Sequence, residues 1–313
     1  MMNERHFEGT VFRHTGSRYM VKSKAVSTLV GCVVRGKLRL HETTTTNPVA
    51  IGDIVDCEMV NSSEGIITAV HPRRNYIIRR AANLSHEAHI IAANIDCAYL
   101  IVTISHPRNA WAFIDRFLVT CEAYSVPVKL IINKVDLYGE AGNGEKERFV
   151  EIYTQAGYEV VEVSAKTGFQ VDGLRRDVCG KFCLFSGASG VGKSSLINAL
   201  DPTLTLRTGA LSKTHQKGMH TTTFYEVFEL ASGGAIVDSP GIKGFGLIEV
   251  NKEELYHFFP ELFRMAAHCK FNPCTHTHEP QCAVRQAVND GRISSERYDS
   301  YSKMLRTSDG KYR

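Results

Sequence analysis

The chain contains no apolar run of the roughly 18 residues that a membrane-spanning helix needs. Its start, Met1-Met2-Asn3-Glu4-Arg5-His6, lacks the apolar core of a secretory signal. These absences argue against a membrane protein and predict a cytoplasmic one. A strong charge bias is missing as well. The 37 Lys and Arg against 33 Asp and Glu leave +4, which is compatible with a nucleic-acid partner but does not require one. No internal repeat and no low-complexity tract is present. The nine cysteines do not form a disulfide framework. Their count is odd, and Cys32, Cys57, Cys97, Cys121, Cys179 and Cys183 stand singly in apolar stretches, where a free thiol behaves as a small hydrophobe. Cys269, Cys274 and Cys282 cluster instead. A chain of 313 residues that is 43% hydrophobic and 22% charged has globular composition and length for two or three domains.

Hydrophobic periodicity changes along the chain. Up to about Pro72 the reading is all-β, with short runs at Thr10 to Phe12, Tyr19 to Val21, Leu29 to Val34, Asp53 to Cys57 and Gly65 to Val70, separated by glycines and polar turns. Five such strands suit a small closed barrel of the oligonucleotide-binding (OB) kind. Basic residues follow at Arg73-Arg74 and Arg79-Arg80, and the segment Arg35-Gly36-Lys37-Leu38-Arg39 is basic too. They suit phosphate contact or, equally, solvated loops and a linker. From about Asn94, apolar runs alternate with amphipathic ones, the pattern of a parallel sheet with crossover helices. Strands are expected at Ala98 to Ile104, Val128 to Ile132, Tyr158 to Val163 and Lys181 to Phe185. Helices are expected at Ala110 to Tyr124, Gly144 to Ala156, Val171 to Cys179 and Gly192 to Leu200. Phe224 to Leu230 and Gly234 to Val237 read as a hairpin. Beyond Glu249 the chain reads as helical, then Cys- and His-rich, then helical again from about Ser294.

The apolar strand ending at Phe185 runs into Gly187-Ala188-Ser189-Gly190-Val191-Gly192-Lys193-Ser194 and then a helical run from Ser195. That is the strand–loop–helix setting of a phosphate-binding loop. Backbone N–H groups cradle phosphates, Lys193 neutralises their charge, and the Ser194 hydroxyl ligates magnesium. Asp238-Ser239-Pro240-Gly241 ends a later apolar strand, where a carboxylate can hold magnesium through water and the Gly241 N–H can meet a γ-phosphate. Between them, Gly209 to Thr223 is rich in glycine and hydroxyls, as suits a loop ordered by γ-phosphate and metal, with Thr222, or else Thr221, as a second magnesium ligand. Asn133-Lys134-Val135-Asp136 follows the strand Val128 to Ile132. Asp136 can accept from N1–H and the exocyclic amine of guanine, whereas adenine would leave it unpaired, so the site selects GTP over ATP. Asn133 can bridge loops, the Lys134 stem can lie over the base, and Ser164-Ala165-Lys166 offers the Ala165 N–H to guanine O6. The base motifs precede the phosphate loop, so the chain order is circularly permuted. A doubly wound sheet still assembles one site at its strand ends. Cys269-x-x-x-x-Cys274-x-His276-x-x-x-x-x-Cys282 supplies three thiolates and an imidazole, enough for a closed tetrahedral zinc site that leaves no place for water. His278 lies close enough to substitute.

This order, with Gly187 to Ser195 and Thr208-Gly209 to Thr223, resembles the RsgA (YjeQ) family of GTPases dependent on the small ribosomal subunit, over nearly the whole chain. The resemblance implies an N-terminal OB barrel (1–74), a permuted α/β GTPase core (75–248) and a C-terminal, mainly helical zinc domain (249–313). It also implies GTP, Mg2+ and one structural zinc on Cys269, Cys274, His276 and Cys282. The implied partners are the small ribosomal subunit and its rRNA late in maturation, with other assembly factors, for a protein expected to be a monomer. One departure is Met219, where the family carries a basic residue. The glutamine that many GTPases place after the Asp-x-x-Gly motif is Ile242 here, and an aliphatic side chain cannot align water, so slow intrinsic turnover is expected. His220 is a candidate to orient the nucleophile, or else a solvated loop histidine. Lys193 and Thr222 complete the expected catalytic set. A GTP-gated RNA-binding module with little turnover, and a GTPase acting on a non-ribosomal partner, are the alternative functions.

Overall fold

The computed structural model describes residues 5–15, 17–23, 29–36, 48–61, 63–80, 88–105, 107–206, 225–239 and 251–307. Lys37 to Arg39, the segment Gly209 to Thr223 with Met219, His220, Thr221 and Thr222, and Gly241 and Ile242 lie outside the described residues.

Period-2 alternation governs the first part of the chain. In β1 (His6–Thr15), β2 (Arg18–Ser23), β3 (Leu29–Val34), β4 (Ile54–Met59) and β5 (Glu64–Val70), Val11, Tyr19, Val21, Val30, Cys32, Val34, Val55, Cys57 and Ile67 point to one interior. The strands close in the order β1-β2-β3-β5-β4, all pairs antiparallel except β3 with β5. This is the five-stranded barrel that the sequence predicts, and closure removes its sheet edges.

The basic stretch after the barrel is structured differently from a linker. β6 (Tyr76–Arg80) and β7 (Ala88–Ala93) pair antiparallel because Ile77, Ile78, Ile90 and Ile91 bury beneath them. Arg73 chelates the fully buried Asp53 at 2.7 and 2.8 Å, and Arg74 pairs with Asp96. Arg35 pairs with Glu58 at 3.3 Å. Arg73 therefore serves the fold and not a phosphate. Its bidentate pairing supplies two charge-assisted hydrogen bonds to a carboxylate that is out of water.

The central sheet runs β10-β9-β8-β11-β13-β12, built from β8 (Cys97–Val102), β9 (Val128–Ile132), β10 (Glu159–Glu162), β11 (Phe182–Ser186), β12 (Glu226–Glu229) and β13 (Ala235–Asp238). The first five in spatial order are parallel. β12 is antiparallel, the predicted hairpin partner of β13. Both faces are covered, which explains why the strands read as unbroken apolar runs. α1 (Trp111–Ala123) and α2 (Glu140–Ala156) pack Phe117, Leu118 and Phe149 against Ala98, Leu100 and Leu130. On the opposite face α3 (Val171–Val178) and α4 (Lys193–Leu200) pack Leu174, Leu196 and Ile197 against Tyr99, Ile101 and Phe185. The strands and helices differ from expectation mainly at their ends, where the local pattern is weakest. Ile104, for example, lies in the loop beyond β8.

The C-terminal part comprises a 3-10 segment (Lys252–Phe258), α5 (Pro260–Ala266), α6 (Ala283–Asn289) and α7 (Ser295–Thr307). Its core of Leu255, Phe259, Leu262, Val284, Tyr301 and Met304 includes Val119 of α1. A buried cation locks this contact. Arg297 of α7 binds both oxygens of Glu261 at 2.7 and 3.0 Å and donates to Asp115 Oδ1 of α1 at 2.7 Å. The Phe259 ring lies 4.7 Å from the guanidinium. Arg297→Ala leaves two buried carboxylates without their cation and is expected to lower unfolding stability by about 3–5 kcal/mol. Arg297→Lys should recover less than half, because one ammonium cannot reproduce the bidentate fork. Urea denaturation of the three proteins checks both.

Candidate guanine-nucleotide site and metal centre

Every expected nucleotide motif in the described residues sits at the carboxyl end of a parallel strand. Asn133 to Asp136 follow β9, Ser164 to Lys166 follow β10, the phosphate loop follows β11, and Asp238 ends β13. In the register, Phe185 lies beside Asp238, so the phosphate loop and the carboxylate leave neighbouring strands.

The phosphate loop is forced open by its glycines. A Cβ on Gly187 would stand 2.3 Å from the Ile101 carbonyl oxygen, and one on Gly192 would stand 2.5 Å from Asn133 Nδ2. Gly192 also has φ +93 at the N-cap of α4, so a side chain there is refused on two counts. The Lys193 ammonium donates to the Gly187 carbonyl at 2.8 Å, which folds it back over the loop. Burial pulls the Lys193 pKa down, partly offset by the Asp238 charge. Burial likewise pushes Asp238 up, with Lys193 opposing that shift and Glu226 adding to it. Two opposite charges are thus held out of water at the point where a phosphate and its metal would sit. Asp238 Oδ1 is buried with no hydrogen-bond partner among the described residues, which fits a magnesium–water shell as its missing donor. Ser194 lies in the first turn of α4, as a magnesium ligand from this loop requires.

The base motif is wired into the phosphate loop. Asn133 is buried; its Nδ2 donates to the Val191 carbonyl at 2.9 Å and its Oδ1 accepts from the Ala165 N–H at 3.2 Å. Lys134, at φ +63, donates from Nζ to the Gly190 carbonyl at 2.7 Å. Asp136 is exposed, and one of its oxygens is held by the Ser164 hydroxyl at 2.6 Å. That leaves an anchored acceptor facing outward at the place expected for a base. The Ala165 N–H, expected at guanine O6, donates to Asn133 Oδ1 at 3.2 Å. Val135 packs against the core, and its N–H meets the Val163 carbonyl at 3.3 Å. Lys166 and Ser189 are exposed, and Ala188 and Ser195 are half-buried. Sequence reasoning missed Ser239, whose hydroxyl and N–H both reach the Phe185 carbonyl, at 3.0 and 3.1 Å. It also missed Tyr138, whose aromatic ring gave only a core signal.

At the C-terminal centre Cys269, Cys274, His276 and Cys282 bring their donor atoms within 4.8 Å of one another. The separations are 3.8 Å for Cys269 to Cys282, 3.9 Å for Cys274 to Cys282, and 3.5 Å from His276 Nδ1 to both Cys269 and Cys282. Two sulfurs each about 2.3 Å from a tetrahedral centre stand about 3.8 Å apart, and a sulfur and a nitrogen about 3.5 Å, so the donor set fits zinc. Burial pushes the Cys274 thiol up to about 12, so three thiolates here need a cation to hold them. His278 is exposed and bonds Thr277, whereas the buried His276 lies within the donor cluster. The loop is braced from outside: Glu279 accepts from the Thr275, Thr277 and His278 amides, Tyr298 donates to the His276 carbonyl and Tyr301 to that of Thr275.

Two family models match the chain, the RsgA N-terminal domain over residues 8–67 and the RsgA GTPase over residues 70–248. The chain belongs to the RsgA family of GTPases. A relative from Phocaeicola vulgatus, named small ribosomal subunit biogenesis GTPase RsgA, is 50% identical over 98% of this chain and 99% of its own length. One of the same name from Flavobacterium psychrophilum is 45% identical over 97% and 94%. Among solved structures, YjeQ from Thermotoga maritima matches with a TM-score of 0.78 at 33% identity, covering 98% of this chain and all of that one. YloQ, described as a circularly permuted GTPase, matches with a TM-score of 0.75 at 29% identity, covering 100% and 98%. Family membership makes GTP the substrate. Gly187→Ala, which drives a methyl into the Ile101 carbonyl, is expected to weaken GTP binding by at least about tenfold, measured by titration calorimetry. The isolated protein should carry one zinc per chain by elemental analysis. Stoichiometric chelation should melt helical signal from residues 251–307, and a fully retained far-UV spectrum after zinc removal would refute the structural role.

Proposed function

We propose that this GTPase acts on the small ribosomal subunit and its rRNA late in subunit maturation, with hydrolysis triggering release of the protein or of assembly factors. The observation that carries the reading is the convergence of base, phosphate and metal groups at one end of the sheet, in a chain whose relatives bear that name along their full length. The barrel (1–74) and the zinc domain (249–313) flank the GTPase core (75–248) and supply the RNA-gripping surfaces. The protein works as a monomer in the cytoplasm.

In the reaction, water attacks the γ-phosphorus as the bond to the β–γ bridging oxygen breaks, giving GDP and inorganic phosphate. Lys193 and the N–H groups of the loop at the head of α4 offset charge developing on the phosphate oxygens. Asp136 and Asn133 hold the base end, fixing the nucleotide along the sheet edge. Ser194, Thr222 and Asp238 would hold Mg2+, which would supply neutralisation of the β- and γ-phosphate charge. With Ile242 in place of a water-aligning glutamine, His220 orients the nucleophile in the partner-bound state.

Steady-state GTP hydrolysis with magnesium tests this, run alone, with isolated small subunits and with large subunits as control. Slow intrinsic turnover and strong stimulation by small subunits alone are expected. Equal, slow rates in all three would sink the proposal and favour a binding module. His220→Ala should abolish the stimulation at unchanged GTP affinity, and a fully stimulated variant would remove His220 from the mechanism.

A further inference from the structure

Tyr138 stands two residues beyond the guanine motif, and its half-buried ring packs against the core. Its hydroxyl has a partner on each side: it accepts from the Ile104 N–H at 2.9 Å and donates to the Asn133 carbonyl at 3.1 Å. Ile104 lies in the loop between β8 and α1, which is tightly closed. Thr103 donates its hydroxyl to the Pro107 carbonyl at 2.5 Å and its N–H to Asn109 Oδ1 at 2.9 Å. Pro107 in turn backs the phosphate loop, with its Cδ 3.6 Å from the position a Cβ on Gly190 would take. One continuous chain of contacts therefore joins the base motif, Tyr138, the β8–α1 loop and the outer turn of the phosphate loop.

We propose that the Tyr138 hydroxyl is a positioning group for guanine selectivity: it sets the tilt of the Val135–Leu137 turn that carries Asp136, without itself touching the nucleotide. The turn needs such support. Lys134 enters it in the left-handed region, at φ +63 and ψ +34, a conformation that non-glycine residues hold only when their surroundings impose it. Its internal bonds are the Leu137 N–H to the Lys134 carbonyl at 3.0 Å and the Tyr138 N–H to the Val135 carbonyl at 3.2 Å. Ser164 fixes one oxygen of the Asp136 carboxylate, whereas Tyr138 fixes the Asn133 carbonyl at the point where the backbone enters the turn. Removing only the hydroxyl keeps the ring in the core and leaves the Ile104 N–H and the Asn133 carbonyl without this partner.

The inference rests on the guanine-site reading, and the test separates the two. Affinities for GDP and inosine diphosphate, which lacks the exocyclic amine that Asp136 reads, are measured for the wild type, Tyr138→Phe and Thr103→Val. A wild type that fails to prefer GDP would sink the guanine reading itself. In Tyr138→Phe, GDP affinity should fall about tenfold and that for inosine diphosphate about threefold, so that the preference narrows about threefold. KM for GTP should rise while kcat at saturation stays within about twofold. Thr103→Val loosens the same loop away from the base motif and should weaken both nucleotides alike. If Tyr138→Phe also weakens both alike, or changes neither, or lowers kcat at unchanged KM, the hydroxyl does not set selectivity.

Discussion

The side chain of Asn133 is the fixed point of the nucleotide site. It sits between strands that are not neighbours, since β8 separates β9 from β11, and it closes that gap with one amide. Its NH2 holds the Val191 carbonyl of the phosphate loop, its oxygen holds the Ala165 amide of the loop after β10, and its own carbonyl accepts from Tyr138. Gly192 is glycine because Asn133 Nδ2 occupies the space a Cβ would need. An amide suits this place because it donates and accepts from the same planar group, so it can join two loops of opposite polarity without adding a buried charge. Lys134 and Ser164 then act as outriggers, one on Gly190 and the other on Asp136.

The charges around the phosphate loop follow a different principle. Lys193 and Asp238 are both drawn away from their ordinary pKa by burial, and each partly relieves the other. Such a pair is poorly solvated by itself and well matched to a magnesium–phosphate complex, which supplies the opposite charge to each. The binding energy of the nucleotide is thereby tied to its phosphates and metal, while discrimination is left to the base loops across the sheet.

The C-terminal part is bound to the GTPase core by burial. Arg297 sits wholly inside the seam, satisfying Glu261 on its own side and Asp115 on α1, with Tyr153 of α2 donating to the same Asp115 oxygen at 2.9 Å. The candidate metal ligands lie in the loop between α5 and α6, and Tyr298 and Tyr301 of α7 clasp the backbone of that loop. This loop, α7 and α1 thus form one connected set. A change in the core has a short physical route to the C-terminal part through these residues.

Local pattern alone carried much of this. Alternation with period 2 located the barrel strands, unbroken apolar runs located the parallel sheet, and the spacings of Gly187 to Ser194, Asn133 to Asp136 and Cys269 to Cys282 located the ligand groups. Each is encoded within a few consecutive residues, so one sequence suffices to read it. Contacts between distant segments were not legible. Arg73 and Arg74 read as candidate phosphate binders because Asp53 and Asp96, their partners, lie 20 and 22 residues away. The β6–β7 hairpin was hidden by its arginines, and the bond from the Ala165 amide to Asn133 joins residues 32 apart in the chain. Tyr138 and Arg297 carried only the signals of an aromatic and a surface cation. By itself the sequence determined the chemistry available at each strand end, because motif and spacing are local. Only the tertiary structure decided which polar groups were already paired and which were left to face a ligand, because burial and hydrogen bonding depend on residues the chain brings together from afar.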